Sequence, residues 1–181
     1  MLTMRRMLIL GGARSGKSRE AERLAQATGQ PVTMIVTAEA GDGEMAARIA
    51  RHRAERPQGW ETIEAQLDLP SALARRCGDG VVIVDCLTLW LANIMAAGHD
   101  VDHETAALVT AIARTPRPVI LVSNETGLGI VPATALGRAF RDAQGRLNQK
   151  VAEACDGVVL MVAGLPLTLK PQPVPFRLAS G

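Results

Sequence analysis

Five short apolar runs punctuate the chain, at residues 7–10, 32–36, 81–85, 119–123 and 158–162. Each is rich in Val, Ile, Leu or Met and none alternates regularly with polar positions. A strand that is apolar on both sides must be covered on both sides, as a parallel strand between two helix layers is. Segments of helical character fill the intervals: residues 17–28, 43–56, 69–76, 87–97, 104–114 and 133–154. The last carries Leu136, Phe140, Leu147 and Val151 at spacings of four, seven and four, a stripe down one helix face. Gly137 and Gly145 weaken it by ~1 kcal/mol each relative to Ala, and so suggest positions of close packing. Strand and helix alternating along the whole length predict an α/β fold with a mostly parallel sheet. Neither a repeat nor a linker interrupts it, so residues 1–170 read as one domain. Residues 171–181 hold Pro171, Pro173 and Pro175 and read as an extended or disordered tail without chemistry.

Composition narrows this picture. A chain of 181 residues can bury a core without disulfides. With two Phe, two Trp and no Tyr, that core is expected to be aliphatic, and rings for stacking on bases are scarce. The formal charge is +2 and no polybasic block occurs, which argues against a nucleic-acid partner. Cys77, Cys86 and Cys155 are scattered, as suits reduced thiols in a cytoplasmic protein. Arg5 and Arg6 precede an apolar run too short for a signal peptide. Nothing approaches the ~20 apolar residues of a membrane helix, so no integral membrane segment is expected.

The first apolar run opens into "GGARSGKS": Gly11, Gly12, Ala13, Arg14, Ser15, Gly16, Lys17 and Ser18. This is G-x-x-x-x-G-K-[ST] between a predicted strand and a predicted helix, the context in which the pattern binds nucleoside triphosphates. Glycines let the backbone approach the phosphates, and the N–H groups of the loop and helix start face the anion. Lys17 is placed to reach the β- and γ-phosphates, and Ser18 to offer its hydroxyl to Mg²⁺. The metal's second protein ligand is expected at the end of an apolar strand, where "VVIVD" supplies Asp85. The competing reading of Asp85 is a cap for the helix that follows.

A second constellation lies in "DGEMAARIARHRAERP". Pro57 would end a helix on which Arg48, His52 and Arg56 stack at spacing four. Cations beside an imidazole lower its pKa and leave a lone pair able to attack phosphorus. An ordinary solvated, arginine-rich helix face is the alternative. His99 and His103 fall in a polar connection and read as surface residues.

Taken in order, "GGARSGKS", "MAARIARHRAERP" with "WETIE", "VDCLTLWLANI", "VSNETGLGIVP" and "GRAFRDAQGRLNQKVAEACD" resemble one family. It is the bifunctional adenosylcobinamide kinase/adenosylcobinamide-phosphate guanylyltransferase family of cobalamin biosynthesis. The resemblance runs from about Met7 to Lys170. It implies a RecA-like P-loop sheet and a homotrimer. It also implies two reactions: phosphorylation of adenosylcobinamide by ATP or GTP, then transfer of GMP from GTP through a guanylylated histidine to adenosylcobinamide phosphate. His52 is the only histidine in the matching segment and inherits that role; Arg51 stands where some relatives have a second histidine. Further nucleotide contacts carry over to Thr37, Ala38 and Glu39, to Arg53, Ala54, Glu55 and Arg56, and to Glu64 and Asp85. Catalysis would rest on His52 and Lys17 and metal binding on Ser18 and Asp85, with Glu64 and Asp85 matching acidic positions of the family that serve either metal or guanine. Gly127 and Gly129 suggest a mobile or closely approaching loop, and a large corrinoid could lie on the loop and helix that follow "SNET". Two other readings remain: a P-loop kinase for another small alcohol with His52 structural, and a nucleotide-gated binding protein.

Overall fold

The computed structural model describes residues 4–38, 59–75 and 79–171. Seven strands form one sheet: β1 (Arg6–Gly11), β2 (Val32–Val36), β3 (Glu61–Glu64), β4 (Val81–Asp85), β5 (Val119–Asn124), β6 (Gly157–Val162) and β7 (Leu165–Lys170). Their order is β3-β2-β4-β5-β1-β6-β7. Every pairing is parallel except that of the β6–β7 hairpin. The five apolar runs are the five strands β1, β2, β4, β5 and β6.

Among the described residues five helices connect them: α1 (Lys17–Gln26), α2 (Leu69–Ala74), α3 (Leu87–Ala96), α4 (Val101–Arg114) and α5 (Ala135–Ala154). Short polar side chains set several starts by accepting otherwise orphaned N–H groups. Asp68 accepts from Ser71 N, Asp100 from Asp102 N and His103 N, and Thr134 from Gly137 N. The Asp100 cap begins α4 three residues before the expected Glu104, which draws His103 into its first turn. Both His103 and His99 are exposed, as expected.

Successive strand side chains point to opposite faces, so each apolar strand feeds two cores. On one face Leu8, Leu10, Val82, Val84, Val119 and Leu121 pack with α2, α3, α4 and α5. On the other Ile9, Met34, Ile83, Ile120 and Val122 pack with Ala21 and Ala25 of α1. The helix expected over residues 43–56 lies outside the described residues. Trp90 departs from the expected aliphatic core. It is fully buried, and its indole donates to Leu67 O at 2.8 Å, which removes the polar cost of enclosing it.

Two strands escaped the periodicity. β3 reads Glu-Thr-Ile-Glu and is mostly exposed at the sheet edge. Its only apolar residue, Ile63, is half-buried. β7 exposes almost its whole length. Neither carries the uninterrupted apolar run that marks a covered strand. The stripe along α5 fails only at its start, since Phe140 packs against the core while Leu136 does not. Leu147 and Val151 are buried, whereas Leu136 is 73% exposed. A helix of 20 residues is ~30 Å long, against ~20 Å for a six-residue strand, so its first turns overrun the sheet. Gly137 does mark close packing, because a Cβ there would lie 2.8 Å from Pro132 Cβ. Gly145 does not, since nothing lies within 4 Å of that position.

Candidate active site

The carboxyl ends of the parallel strands share one edge, where ligands bind in open α/β sheets. Register brings the sequence-derived candidates to it. Glu64 pairs with Val36, Val36 with Asp85, and Gly11 with Asn124. Thr37 follows Val36 directly, and residues 11–18 leave β1 at the same edge.

Gly11 is fully committed to the loop. Its φ is +154°, and a Cβ would come 2.5 Å from Ser15 Oγ and 2.7 Å from Met161 O. Gly16, at φ +98°, caps α1 in the left-handed region, and a Cβ there would lie 3.4 Å from Gly164 Cα. The loop is tied down by Ser15 N to Gly12 O at 3.3 Å and by Gly164 N to Ser15 O at 3.0 Å. Ser15 Oγ is buried without a partner among the described residues. Lys17 is buried, and its Nζ donates to Gly12 O at 2.6 Å across the loop. Gly12, Ala13 and Arg14 remain exposed, while Ser18 is half-buried in the first turn of α1.

Asp85 sits at the end of β4, two strands from β1 and so ~10 Å across the sheet. Its half-buried carboxylate takes no hydrogen bond from the described residues. The cap reading does not hold, because Cys86 and not Asp85 is the N-cap of α3. Asp85 and Ser18 both offer hard oxygen to the same edge, the donor type that suits Mg²⁺ completed by phosphate and water oxygens. Thr37 is fully buried and holds the turn after Asp85. Its Oγ1 donates to Cys86 O at 2.6 Å and accepts from Cys86 N at 3.0 Å, while its own N donates to Asp85 O. Asn93 Nδ2 bonds Thr37 O at 2.8 Å. Burial, and then the Asp85 charge, push the Cys86 thiol up to about 11, against the backbone N–H groups of Leu89 and Thr88 and the cation of Lys17. Cys86 therefore stays a protonated thiol at neutral pH. Cys155 is likewise raised to about 12, first by burial.

Ala38 is half-buried beside Thr37, and Glu64 is exposed on β3. Glu39, His52, Arg53, Ala54, Glu55 and Arg56 lie outside the described residues, so the structure brings together the loop, Thr37, Glu64 and Asp85 and leaves the histidine segment undescribed. Sequence reasoning passed over the end of β5. There Asn124 N donates to Thr88 Oγ1 at 2.8 Å, Asn148 Nδ2 donates to Asn124 O at 3.0 Å, and Glu125 N donates to Gly11 O at 3.1 Å. Behind them Ser123, Gln144 and Asn148 form a buried polar cluster. The available signal was the abrupt change from aliphatic residues to "SNET" at a strand end.

A family model described as cobinamide kinase / cobinamide phosphate guanyltransferase matches residues 7–169. The chain belongs to this family. It is 51% identical over 172 residues to the bifunctional adenosylcobalamin biosynthesis protein CobP of Pseudomonas aeruginosa, covering 93% of this chain and 99% of that protein. Identity to the bifunctional protein CobU of Salmonella typhimurium is 39% over 180 residues, with 91% and 99% covered. The CobU protein of Escherichia coli is 38% identical with the same coverage. Among solved structures, an ATPase of a type III secretion system aligns with TM-score 0.52 at 11% identity, over 87% of this chain and 52% of that one. A Pyrococcus horikoshii protein aligns with TM-score 0.51 at 6% identity, over 92% and 87%. At such identities the likeness is one of fold. The CobU-family chain has the P-loop NTPase sheet, with β5 inserted between the loop strand β1 and the Asp85 strand β4 as in RecA-like proteins.

Proposed function

We propose that this chain performs both reactions of its family on one nucleotide-binding edge. In the first, the alcohol oxygen of adenosylcobinamide attacks the γ-phosphorus of ATP or GTP, and the bond from that phosphorus to the β–γ bridging oxygen breaks. In the second, an imidazole nitrogen of His52 attacks the α-phosphorus of GTP and pyrophosphate leaves. A phosphate oxygen of adenosylcobinamide phosphate then attacks the histidine-bound phosphorus, releasing the imidazole and forming adenosylcobinamide-GDP. Two displacements in place of one are the gain from a covalent intermediate.

The observation that carries this reading is the Gly11-to-Ser18 loop, built between β1 and α1 with Lys17 reaching across it to Gly12 O and Asp85 ending β4 at the same sheet edge, in a chain of this family. Lys17 and the loop N–H groups would hold the phosphate chain for both steps. Ser18 and Asp85 would hold Mg²⁺, which when bound neutralises phosphate charge. Thr37 fixes the Asp85 turn, while Ala38, Glu39, Glu64 and the Arg53-to-Arg56 run would reach the rest of the nucleotide. The chain would work in the cytoplasm; no helix among the described residues is long and apolar enough to cross a membrane. A homotrimer would give the apolar edge strand β7 a partner, since Leu165, Leu167 and Leu169 are 71%, 55% and 40% exposed.

Product assays test the division of labour. With γ-labelled nucleotide and adenosylcobinamide, His52→Ala should still form the phosphorylated corrinoid. With GTP and the corrinoid phosphate it should form no adenosylcobinamide-GDP. Unimpaired adenosylcobinamide-GDP synthesis by His52→Ala contradicts the covalent route, and wild-type kinase activity without any GMP transfer favours a simple kinase.

A further inference from the structure

The kinase step needs a group to take the proton of the attacking alcohol, and the residues assigned so far leave that task open. Three carboxylates on strand ends or just beyond them are described at the functional edge: Glu64, Asp85 and Glu125. Strands lie ~4.8 Å apart. Glu64 is on β3, four strands from β1, so ~19 Å from the phosphate loop in the plane of the sheet. Asp85, two strands away, is suited to the metal. Glu125 follows β5, the strand adjacent to β1, and its backbone N–H is bonded to Gly11, the first residue of the loop.

The surroundings fix this position. Thr88 in the first turn of α3 holds the N–H of Asn124, and Asn148 of α5 holds its carbonyl. Asn148 is held in turn by Ser123 and Gln144, both fully buried. Glu125 therefore leaves a segment clamped from the loop strand, the Asp85-strand helix and α5. Its carboxylate is half-exposed, and Oε1 accepts from Gly127 N at 2.7 Å, which turns the side chain into the mouth of the following loop. That loop presents apolar surface to solvent, with Leu128, Ile130 and Val131 at 83%, 97% and 58% exposed. Glu125 thus stands between this exposed apolar loop and the first residue of the phosphate loop.

We infer that Glu125 is the proton acceptor of the kinase step. As the alcohol oxygen bonds to the γ-phosphorus and the bridging P–O bond breaks, the hydroxyl proton passes to the Glu125 carboxylate. The nucleoside diphosphate leaves, and the proton is later lost to water. This inference rests on the kinase half of the function proposed above and is independent of the histidine half.

Glu125→Gln keeps an oxygen to accept from Gly127 N and removes the basic site. Kinase kcat with adenosylcobinamide should fall ~100-fold or more, with KM for the nucleotide within about twofold and GMP incorporation from GTP into the protein unchanged. Glu125→Asp should retain intermediate kcat, with the acid limb of its pH profile preserved, whereas Glu125→Gln should lose that limb. A Glu125→Gln kcat within about threefold of wild type overturns the inference. So does an equal fall in GMP incorporation, which would mark a structural role, or a loss confined to Glu39→Gln. Wild-type protein that phosphorylates no corrinoid would instead remove the parent reading, and this inference with it.

Discussion

At the scale of single residues, the polar atoms at the functional edge are matched to tasks that their letter codes do not disclose. Thr37 stands in sequence as a nucleotide contact by resemblance. In the structure its hydroxyl is already engaged twice with the Cys86 peptide. Removing it leaves the buried Cys86 N–H without a partner and the Cys86 carbonyl with Trp90 N alone, a loss of about 2 kcal/mol. Thr37→Val is therefore expected to lower the melting temperature by about 4–8 °C and to weaken magnesium-dependent nucleotide binding, because the Asp85 turn loses its anchor. Thr37→Ser should restore most of both. Thermal unfolding with and without nucleotide measures this, and an unchanged melting temperature in Thr37→Val would refute the anchoring role. Glu125, by contrast, was passed over in sequence because one carboxylate after a strand has no motif. Its importance comes from which strand it follows, and strand order is set by tertiary packing.

Elements were most legible where burial on both faces leaves a continuous apolar run, as in β1, β2, β4, β5 and β6. They were least legible where exposure removes that constraint. β3 and β7 lie at the sheet edges: β3 is short and mostly polar, and β7 alternates Leu with Pro, Thr and Lys, so neither shows the continuous run of a strand covered on both faces. The phosphate loop was legible for the opposite reason: its glycines answer to backbone geometry. Gly11 shows this most sharply, with its positive φ and with Ser15 Oγ and Met161 O inside the space of a Cβ. Gly11→Ala is expected to displace the loop from β6 and reduce nucleotide affinity at least tenfold while leaving the circular dichroism of the sheet and helices near that of wild type. Titration with a fluorescent GTP analogue checks this. Wild-type affinity in Gly11→Ala would mean that the loop does not need the conformation seen here.

For the whole molecule, the order β3-β2-β4-β5-β1-β6-β7 gathers five separate sequence stretches onto one edge. The alternation of runs and helices predicted the layers, and the resemblance supplied the RecA-like sheet. The two flanking strands, and the clamp joining β5 to α3 and α5, required the folded chain. The β7 edge has an expected consequence. Leu167→Asp should shift the protein toward monomer in light scattering, and should lower GMP transfer if active sites form between subunits. A wild-type protein that is monomeric at micromolar concentration would rule out the trimer.

The proposed GMP transfer requires one imidazole to reach the α-phosphorus of a triphosphate gripped by the glycine-rich loop. It is tested most directly by intact-mass spectrometry of wild-type protein incubated with magnesium and GTP, followed by peptide mapping under conditions that preserve phosphoramidates. One GMP adduct per chain is expected, located on His52 and discharged on addition of adenosylcobinamide phosphate. An adduct on Lys17, His99 or His103, or no adduct while adenosylcobinamide-GDP is being formed, would contradict it.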